Sequence, residues 1–370
     1  MKIALIGYGN HGKRWDKVLD KLGIPHTIFD PLVGSQDIRN AFAVYPEIDA
    51  VLVVTPHKDL ASITYEALQA GKHVLCEKPG GMTSKDIKRN NELANKKGLT
   101  YMIGYNCRFH DGFIKARKLY DKGAIGKLLF IRARFGFGGR KGYEKEWRLN
   151  KEISGGGHLH DQGVHMIDMA KSFMGNITGV QGMIADTYWK TGAEDNGFVL
   201  LKSGNVIASI HSSVTQWKRM HSFEIYGDKG YLAIEGLGMR YGEPERLILG
   251  KRTKNPDVTK EKVIKCNANA DKSLELELKE FLSAIKENRP TVPHPLDAYE
   301  TLKGGGQITE VEGKKATVAR NRMDKAQSED EYKAAAREYQ SILKQAVLNA
   351  RKKASFSGSQ SDNNDPLGLR

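Results

Sequence analysis

A glycine-rich turn at the start of the chain places the tightest constraint on its fold. The apolar segment 2–6 is typical of a short buried strand, and residues 13–22 have the apolar spacing of a helix. Between them lie Gly7, Tyr8, Gly9, Asn10, His11 and Gly12. Strand, GxGxxG and helix in this order predict the first unit of a Rossmann fold, in which the helix N-terminus faces a dinucleotide pyrophosphate.

The second predicted strand, 26–29, supports this interpretation because it ends at Asp30. A carboxylate at this point accepts hydrogen bonds from the adenosine ribose hydroxyls and repels a 2′-phosphate. The sequence therefore predicts NAD as the cofactor, with NADP disfavoured. The alternative is that Asp30 only stabilises a turn before Pro31.

Further apolar runs predict more strands of a buried parallel sheet at 50–54, 72–76 and 100–104. Thr55-Pro56-His57 follows the first of these strands and Glu77-Lys78-Pro79 the second. Doubly wound sheets bind ligands at the carboxyl ends of their strands. Lys78 is thus a candidate acid/base or substrate ligand, or else a surface lysine paired with Glu77.

A second dense stretch, 155–168, contains three glycines, three histidines and two carboxylates, and predicts a loop that runs into a helix. On that helix Asp161 and His165 lie four residues apart and share a face. A carboxylate beside an imidazole forms a proton-transfer group. Two alternatives stay open: a helix cap with a core histidine, and a metal site built from His158, His160, Asp161 and His165.

Taken together, the motifs of the chain resemble the glucose-fructose oxidoreductase / inositol dehydrogenase / MocA-type family. The residues that carry this resemblance are the glycine turn, Thr55-Pro56, Glu77-Lys78-Pro79, Gly104-Tyr105-Asn106 with Arg108-Phe109, and the stretch 155–168. The resemblance implies an N-terminal doubly wound Rossmann domain and a C-terminal domain built on an open, mostly antiparallel sheet. It also implies NAD(P)-dependent hydride transfer at a hydroxyl/carbonyl carbon of a sugar derivative.

The resemblance assigns the candidate site residues. The catalytic set is Lys78, Asp161 and His165, without a choice between Lys78 and His165 as the primary base. The implied cofactor-binding residues are Gly7, Tyr8, Gly9, Asn10, His11, Gly12, Asp30, Thr55, Pro56, His57, Glu77, Lys78 and Arg108. The implied substrate contacts are Lys78, Arg108, Trp147, Asp161 and His165. No metal is expected, and His57 stands where the family often has asparagine.

The predicted domains are a Rossmann domain at 1–120, a substrate-binding and oligomerisation domain at 121–313, and an extension at 314–370. The extension has no counterpart in the family. Its apolar spacing predicts one amphipathic helix at about 328–353, followed by a polar disordered tail.

Composition limits the class of protein and its partners. Three separated cysteines without a CxxC pair fit a reducing compartment. No segment has the pattern of a signal peptide or a membrane span, so a cytoplasmic location and no membrane partner are expected. The net charge of +14 is spread along the chain without a nucleic-acid motif, so no nucleic-acid partner is expected.

The substrate and assembly are predicted more coarsely. A positive field favours anionic small molecules, and the basic residues Arg108, Arg132, Arg134, Arg140 and Lys141 make a sugar nucleotide or sugar acid the first expectation. A homo-oligomer, dimer or tetramer, is expected from the resemblance. The alternative function is a sensor of the same fold that binds the dinucleotide without catalysis.

Overall fold

Two β-sheets, each with helices packed against it, organise the described part of the chain. The structure is a computed structural model, and it describes residues 1–33, 45–238, 243–255, 259–266, 271–305, 309–310 and 334. Residues 1–309 form one compact unit and 310–370 a second. The helix and tail predicted for the extension lie outside the described residues, with only residues 310 and 334 of this unit described.

The elements follow one another in a Rossmann half and then a sheet-rich half. The strands are β1 Ile3–Ile6, β2 His26–Phe29, β3 Ala50–Val53, β4 His73–Glu77, β5 Tyr101–Gly104, β6 Leu128–Gly136, β7 Gly179–Ala185, β8 Asn196–Ser203, β9 Val206–Ser213, β10 Met220–Gly227, β11 Gly230–Glu235, β12 Arg246–Arg252, β13 Thr259–Lys265 and β14 Thr309–Glu310. The α-helices are α1 Gly12–Lys21, α2 His57–Gln69, α3 Ser84–Lys97, α4 Asp111–Asp121, α5 Lys151–Ser154, α6 Val164–Met174, α7 Ser273–Glu287 and α8 Pro295–Gly305. Short 3₁₀ turns lie at Asn106–Phe109, Tyr143–Lys145 and Trp147–Leu149, and a π-helical turn spans Leu159–Gly163.

The first sheet is parallel, with strand order β2-β1-β3-β4-β5. Its strands are short and apolar because both faces are covered. Ala4 and Ile6 of β1 join the core on the α2 and α3 side, whereas Ile3 and Leu5 join the core on the α1 side. The predicted doubly wound Rossmann fold is confirmed, and all five carboxyl ends lie along one edge.

The second sheet is mostly antiparallel, with order β13-β12-β11-β10-β6-β9-β8-β7; the β6–β9 pair is parallel. One face packs against α4 and α6. Along β6 the inward residues Ile131 and Ala133 are buried, and the alternate residues Arg132 and Arg134 are exposed on the opposite face. The predicted C-terminal architecture is also confirmed.

Helix α7 follows the second sheet in sequence but packs against the first. Leu274, Leu278 and Phe281 share a core cluster with Leu5 and Trp15. The Arg14 guanidinium lies 3.0 Å from an Asp271 carboxylate oxygen and strengthens the contact between α1 and the start of α7. The Rossmann core is therefore completed by residues well beyond position 120.

This packing predicts that Phe281→Ala lowers the free energy of unfolding by about 3–5 kcal/mol, because it removes a fully buried ring and leaves a cavity. Urea denaturation followed by tryptophan fluorescence measures the change. Lys279→Ala, at an exposed position of the same helix, is the control. A loss below about 1 kcal/mol in Phe281→Ala, the range of surface changes, would contradict this account of α7.

Candidate active site

The glycine turn is shaped by close contacts. Gly7 has φ +97°, and a Cβ there would lie 2.7 Å from the Val54 carbonyl oxygen. A Cβ at Gly12 would lie 2.1 Å from the Gly7 carbonyl oxygen, so only glycine lets the helix approach the strand this closely. Gly9 instead faces open space. The turn thus leaves room at the N-terminus of α1, which fits a dinucleotide pyrophosphate.

Asp30 lies at the end of β2, next to this turn. Its Oδ2 accepts a hydrogen bond from the Tyr8 N–H at 2.7 Å, and its Oδ1 accepts one from the Leu32 N–H at 2.8 Å. These bonds fix the direction of the carboxylate. A carboxylate held in this direction at the end of the second strand fits the ribose role that the sequence predicts for it.

Glu77 connects the glycine turn to the carboxyl end of β4. Its Oε1 lies 2.6 Å from His11 Nε2 and accepts a hydrogen bond from Trp15 Nε1 at 2.9 Å. Burial raises the pKa of Glu77, but the charge and hydrogen bond of His11, with the Trp15 hydrogen bond, outweigh burial and lower the pKa. Glu77 is therefore an ionised group beneath the turn, one residue before Lys78.

The loop 155–158 brings the second half of the chain to this edge. A Cβ at Gly157 would overlap the Glu194 backbone, 1.9 Å from its oxygen, and the His158 N–H donates to the same carbonyl at 2.9 Å. The chain then makes the π-helical turn that contains Asp161 before α6 begins. The glycine allows this close approach, which places Asp161 in a buried position with 3% exposure.

Lys78 and Asp161 form a buried ion pair between the two halves. The Lys78 Nζ lies 2.6 Å from Asp161 Oδ1 and also donates to the Asp161 main-chain oxygen. Arg148 Nε lies 3.4 Å from Oδ2, His57 Nε2 lies 3.5 Å from Oδ1, and Gln162 donates to Oδ2 at 2.9 Å. Burial raises the pKa of Asp161, but Lys78, His57 and Arg148 outweigh burial and hold the pKa well below its usual value.

His165 is buried on α6 and its Nδ1 has no hydrogen-bond partner among the described residues. Its ring packs edge-on against Tyr105, with centroids 5.7 Å apart. Burial lowers its pKa to about 3, and the charge of Lys78 lowers it further in the same direction. His165 is thus an uncharged imidazole near neutral pH. Among the described residues Asp161 and His165 do not form the side-chain pair that the sequence predicts, because the Asp161 carboxylate accepts from Lys78 instead.

The other predicted residues divide between the site and the framework. Trp147 packs edge-on against His57 with ring centroids 4.9 Å apart, beside Asp161. Thr55 has a buried Oγ1 without a partner among the described residues, and Pro56 caps α2. Arg108 has a structural position, since its guanidinium donates to both oxygens of the fully buried Asp168, at 2.7 and 2.6 Å.

The charge argument for an anionic substrate is not supported by the positions of the basic residues. Arg132 and Arg134 lie on the exposed face of the second sheet, away from α6, and Arg132 pairs with Glu224 at 2.5 Å. Arg140 pairs with Glu146 at 2.5 Å. Sequence alternation alone showed that Arg132 and Arg134 share a face but did not show which face points to the site.

The sequence did not predict two residues that contact the candidate site, Arg148 and Ser154. Arg148 reaches Asp161, and its guanidinium also stacks over Trp147 at 4.6 Å. The sequence signal that could have identified Arg148 is its position directly after Trp147. The main-chain oxygen of Ser154 accepts a hydrogen bond from His57 Nδ1 at 2.8 Å. A pattern of side chains in the sequence does not predict such a main-chain contact.

The histidines of the stretch do not gather into an ion site. Among the described residues, the only group of three or more His, Cys, Asp or Glu ligand atoms within 4.8 Å of one another is Asp16, Asp20 and His26. The Nδ1 atom of His158 instead lies 2.7 Å from the Ser212 hydroxyl.

No helix within the described ranges is long and apolar enough to cross a membrane.

Two profiles of one family match the chain. Residues 35–105 match the oxidoreductase family with an NAD-binding Rossmann fold, and residues 113–233 match the GFO/IDH/MocA C-terminal domain. The chain belongs to the Gfo/Idh/MocA oxidoreductase family. The suspected resemblance is confirmed, and the Rossmann half is the family's NAD-binding domain.

Relatives of this family member include sugar enzymes. Levoglucosan dehydrogenase of Pseudarthrobacter phenanthrenivorans is 32% identical over 142 residues, which are 38% of this chain and 36% of the relative. A dTDP-3,4-didehydro-2,6-dideoxy-alpha-D-glucose 3-reductase of Streptomyces violaceoruber is 28% identical over 60% of this chain and 64% of the relative. Each match covers less than two thirds of the relative's length.

Solved structures share the fold. A levoglucosan dehydrogenase in complex with NADH and levoglucosan has a TM-score of 0.74 at 21% identity, over 82% of this chain and 95% of that one. A UDP-N-acetylglucosamine 3-dehydrogenase from Acidithiobacillus ferrooxidans has a TM-score of 0.68 at 17% identity, over 83% and 96%. At these identities the likeness extends to the fold alone.

The ion pair predicts that Asp161→Asn lowers the free energy of unfolding at pH 7 by about 3–5 kcal/mol, because it leaves the Lys78 charge buried without its partner. The folded pKa of Asp161 lies below the unfolded value, so the carboxylate stabilises the fold above the unfolded pKa. This contribution is lost only as pH falls through the folded pKa.

Denaturation curves at pH 7 and pH 5 should therefore give the same difference between the wild-type protein and Asp161→Asn. Asp20→Asn, at a side chain that is 71% exposed, is the control for loss of one negative charge. Equal stabilities of the wild type and Asp161→Asn would show that the pair does not hold the two halves together.

Proposed function

We propose that this chain is an NAD-dependent dehydrogenase that acts on a CH–OH group of a sugar derivative. The buried pair of Lys78 and Asp161 carries the proposal, because it sets an amine and a carboxylate from different halves at the carboxyl edge of the parallel sheet. Family membership and the sugar enzymes among its relatives support it.

Gly7, Gly9, Gly12 and Asp30 are the residues we assign to holding the cofactor. The open space at Gly9 and the fixed direction of the Asp30 carboxylate support this assignment. Bound NAD would supply the hydride acceptor for alcohol oxidation and, once reduced, the donor for the reverse reaction. Asp30 also supports NAD over NADP, because a carboxylate repels a 2′-phosphate.

Lys78 is the residue that we assign to proton transfer with the substrate oxygen. The resting ion pair holds Lys78 as the ammonium; once this has released a proton, the amine takes the hydroxyl proton at Nζ, and the ammonium that re-forms is stabilised by the Asp161 carboxylate 2.6 Å away. In the reverse direction the ammonium returns this proton. A carboxylate that stays ionised throughout is suited to this role, and the lowered pKa of Asp161 supports it.

His165 has a different role in this proposal. A buried imidazole with a pKa of about 3 is a weak base, so it is poorly suited to be the primary base near neutral pH. Its Nδ1 has no partner among the described residues, and we assign this atom to a hydrogen bond with a substrate hydroxyl. We therefore assign His165 to substrate orientation and Lys78 to acid/base work.

The substrate in this proposal is a hydroxylated ring rather than an anion as such. Trp147 offers an apolar face for the C–H side of a sugar ring. Within the stretch 155–168, three histidines have a ring nitrogen without a partner among the described residues, and we assign them to hydrogen bonds with sugar hydroxyls: His158, His160 and His165. Because the paired Arg132 and Arg140 give little support to an anionic group, both neutral anhydro sugars and nucleotide sugars belong in the first panel of substrates.

We further propose a homo-oligomer that forms through the exposed face of the second sheet. Four large apolar residues on adjacent strands are 42–54% exposed there: Phe130, Phe198, Leu200 and Ile207. A patch of this kind on one face is suited to a twofold contact with a second copy, in which the same surface is used twice.

Light scattering on the purified protein tests this assembly. Leu200→Lys places a charge in the patch and should convert the oligomer to monomer, whereas Lys96→Asp on the surface of α3 should leave the mass unchanged. A monomeric wild-type protein at micromolar concentration would refute the proposed contact.

The catalytic assignment predicts that Lys78→Met lowers kcat by about 10²–10⁴-fold because the acid/base group is removed. His165→Asn should raise KM for the sugar more than it lowers kcat. NADH binding, followed by nicotinamide fluorescence, should remain in both variants. The assay is NAD reduction with a panel of neutral, acidic and nucleotide sugars.

Lys85→Met, at an exposed lysine in the first turn of α3, is the control and should keep full turnover. Near-normal turnover in both Lys78→Met and His165→Asn would overturn the assignment. NADH binding by the wild type without turnover of any tested sugar would favour a dinucleotide sensor instead.

A further inference from the structure

His57 is a Rossmann residue enclosed by the second half of the chain. It is the first residue of α2 and only 3% exposed. Its Nδ1 bonds the Ser154 oxygen, and its ring packs against Trp147 and His160. Its remaining nitrogen faces Asp161. All these partners belong to the segment 147–161, so His57 joins the parallel sheet to the loop that supports the carboxylate.

The Ser154 contact fixes one hydrogen of the imidazole. A main-chain carbonyl oxygen only accepts hydrogen bonds, so Nδ1, at 2.8 Å, carries a hydrogen and donates it. The other nitrogen, Nε2, then points at Asp161 Oδ1 from 3.5 Å. The same oxygen bonds Lys78 Nζ at 2.6 Å. His57 and Lys78 thus share one carboxylate oxygen.

The hydrogen content of Nε2 decides whether this contact is attractive. An unprotonated Nε2 would direct its lone pair at a carboxylate oxygen, whereas an N–H would form a charge-assisted contact. The charged groups around the ring are Asp161, Lys78 and Arg148. His160 is uncharged, since burial lowers its pKa to about 3. Glu194 accepts a hydrogen bond from the main-chain N–H of His160, and burial raises the pKa of this carboxyl group.

We propose that His57 is a positioning residue of the acid–base centre, whose Nε2–H holds the Asp161 carboxylate in the orientation that Lys78 requires. The proposal rests on the dehydrogenase function proposed above and adds a residue to its machinery. His57 takes no proton from the substrate. It acts through the orientation of Asp161.

Two amide side chains separate the two contacts of His57. Asparagine reaches the Nδ1 position, so His57→Asn keeps a donor for the Ser154 oxygen and loses the donor for Asp161. Glutamine is long enough to reach the Nε2 position, so His57→Gln keeps a permanent donor for Asp161. The asparagine that the family often has here would make only the first contact, so the imidazole adds a second one in this chain.

The test compares kcat and KM of the wild type, His57→Asn, His57→Gln and Lys58→Gln, with Lys58 as the exposed control on the same helix turn. His57→Asn should lose on the order of 10- to 100-fold in kcat, the usual effect of removing an outer hydrogen-bond partner. His57→Gln should recover most of this loss. Its amide restores the donor for Asp161, whereas Lys58→Gln should keep the wild-type kcat.

A structural role alone would lower stability in both variants without a selective recovery of kcat in His57→Gln. Wild-type kcat in a folded His57→Asn variant, or a folded His57→Gln variant no more active than His57→Asn, would overturn the proposal. Thermal melting and NADH binding of each variant identify any that fails to fold, and for such a variant the NMR measurement below decides.

The NMR measurement is independent of turnover. In protein labelled with ¹⁵N-histidine, the Nε2–H of His57 should give a signal in the wild type that shifts in Asp161→Asn, because a neutral amide replaces the charged carboxylate. An absent or unshifted Nε2–H signal would overturn the proposal even in an active enzyme. Absence of dehydrogenase activity in the wild type would instead refute the proposed function while the Nε2–H signal still reported on His57.

Discussion

The buried ion pair of Lys78 and Asp161 is the interaction on which the rest of the site depends. Taking both charges out of water is costly, and the pair is tolerated only because further partners surround the carboxylate. Arg148, His57 and Gln162 supply those partners. The pair therefore forms only when the Rossmann half and the loop 155–163 are both folded and correctly placed against each other.

A continuous set of contacts connects this pair to the cofactor turn. His11 and Trp15, at the start of α1, both bond Glu77, and Glu77 precedes Lys78 in the chain. The ionised Glu77 adds a negative charge beneath the lysine. The turn, the strand end and the acid–base centre are thus held by neighbouring backbone and by ionised groups, which limits how far Lys78 can move relative to the cofactor turn.

Much of this structure could be predicted from local sequence patterns. The strand, glycine turn and helix predicted the Rossmann fold, because the constraints at Gly7 and Gly12 are local and steric. The pairing of distant residues was harder to predict. Asp161 and His165 share a helix face by spacing, but Asp161 turns to Lys78 because an ammonium is a stronger partner than a neutral imidazole.

Side-chain direction explains the remaining differences. The alternation in β6 placed Arg132 and Arg134 together, yet the choice of face depends on which side α4 and α6 cover, and that is a property of the whole domain. Arg108 likewise turns inward because Asp168, on a helix far along the chain, offers both carboxylate oxygens. These outcomes are tertiary, and no local pattern contains them.

The position of α7 in the chain affects how the protein can be made. Ile3 and Leu5 of the first strand share their core with Leu274, Leu278 and Phe281. On a ribosome, the first strand emerges long before the helix that covers it. One face of the nascent Rossmann sheet therefore stays uncovered by α7 until the entire second sheet has been synthesised. Exposed apolar surface of this kind invites chaperones and favours aggregation, so translation speed through residues 120–281 sets how long the unfinished sheet is at risk.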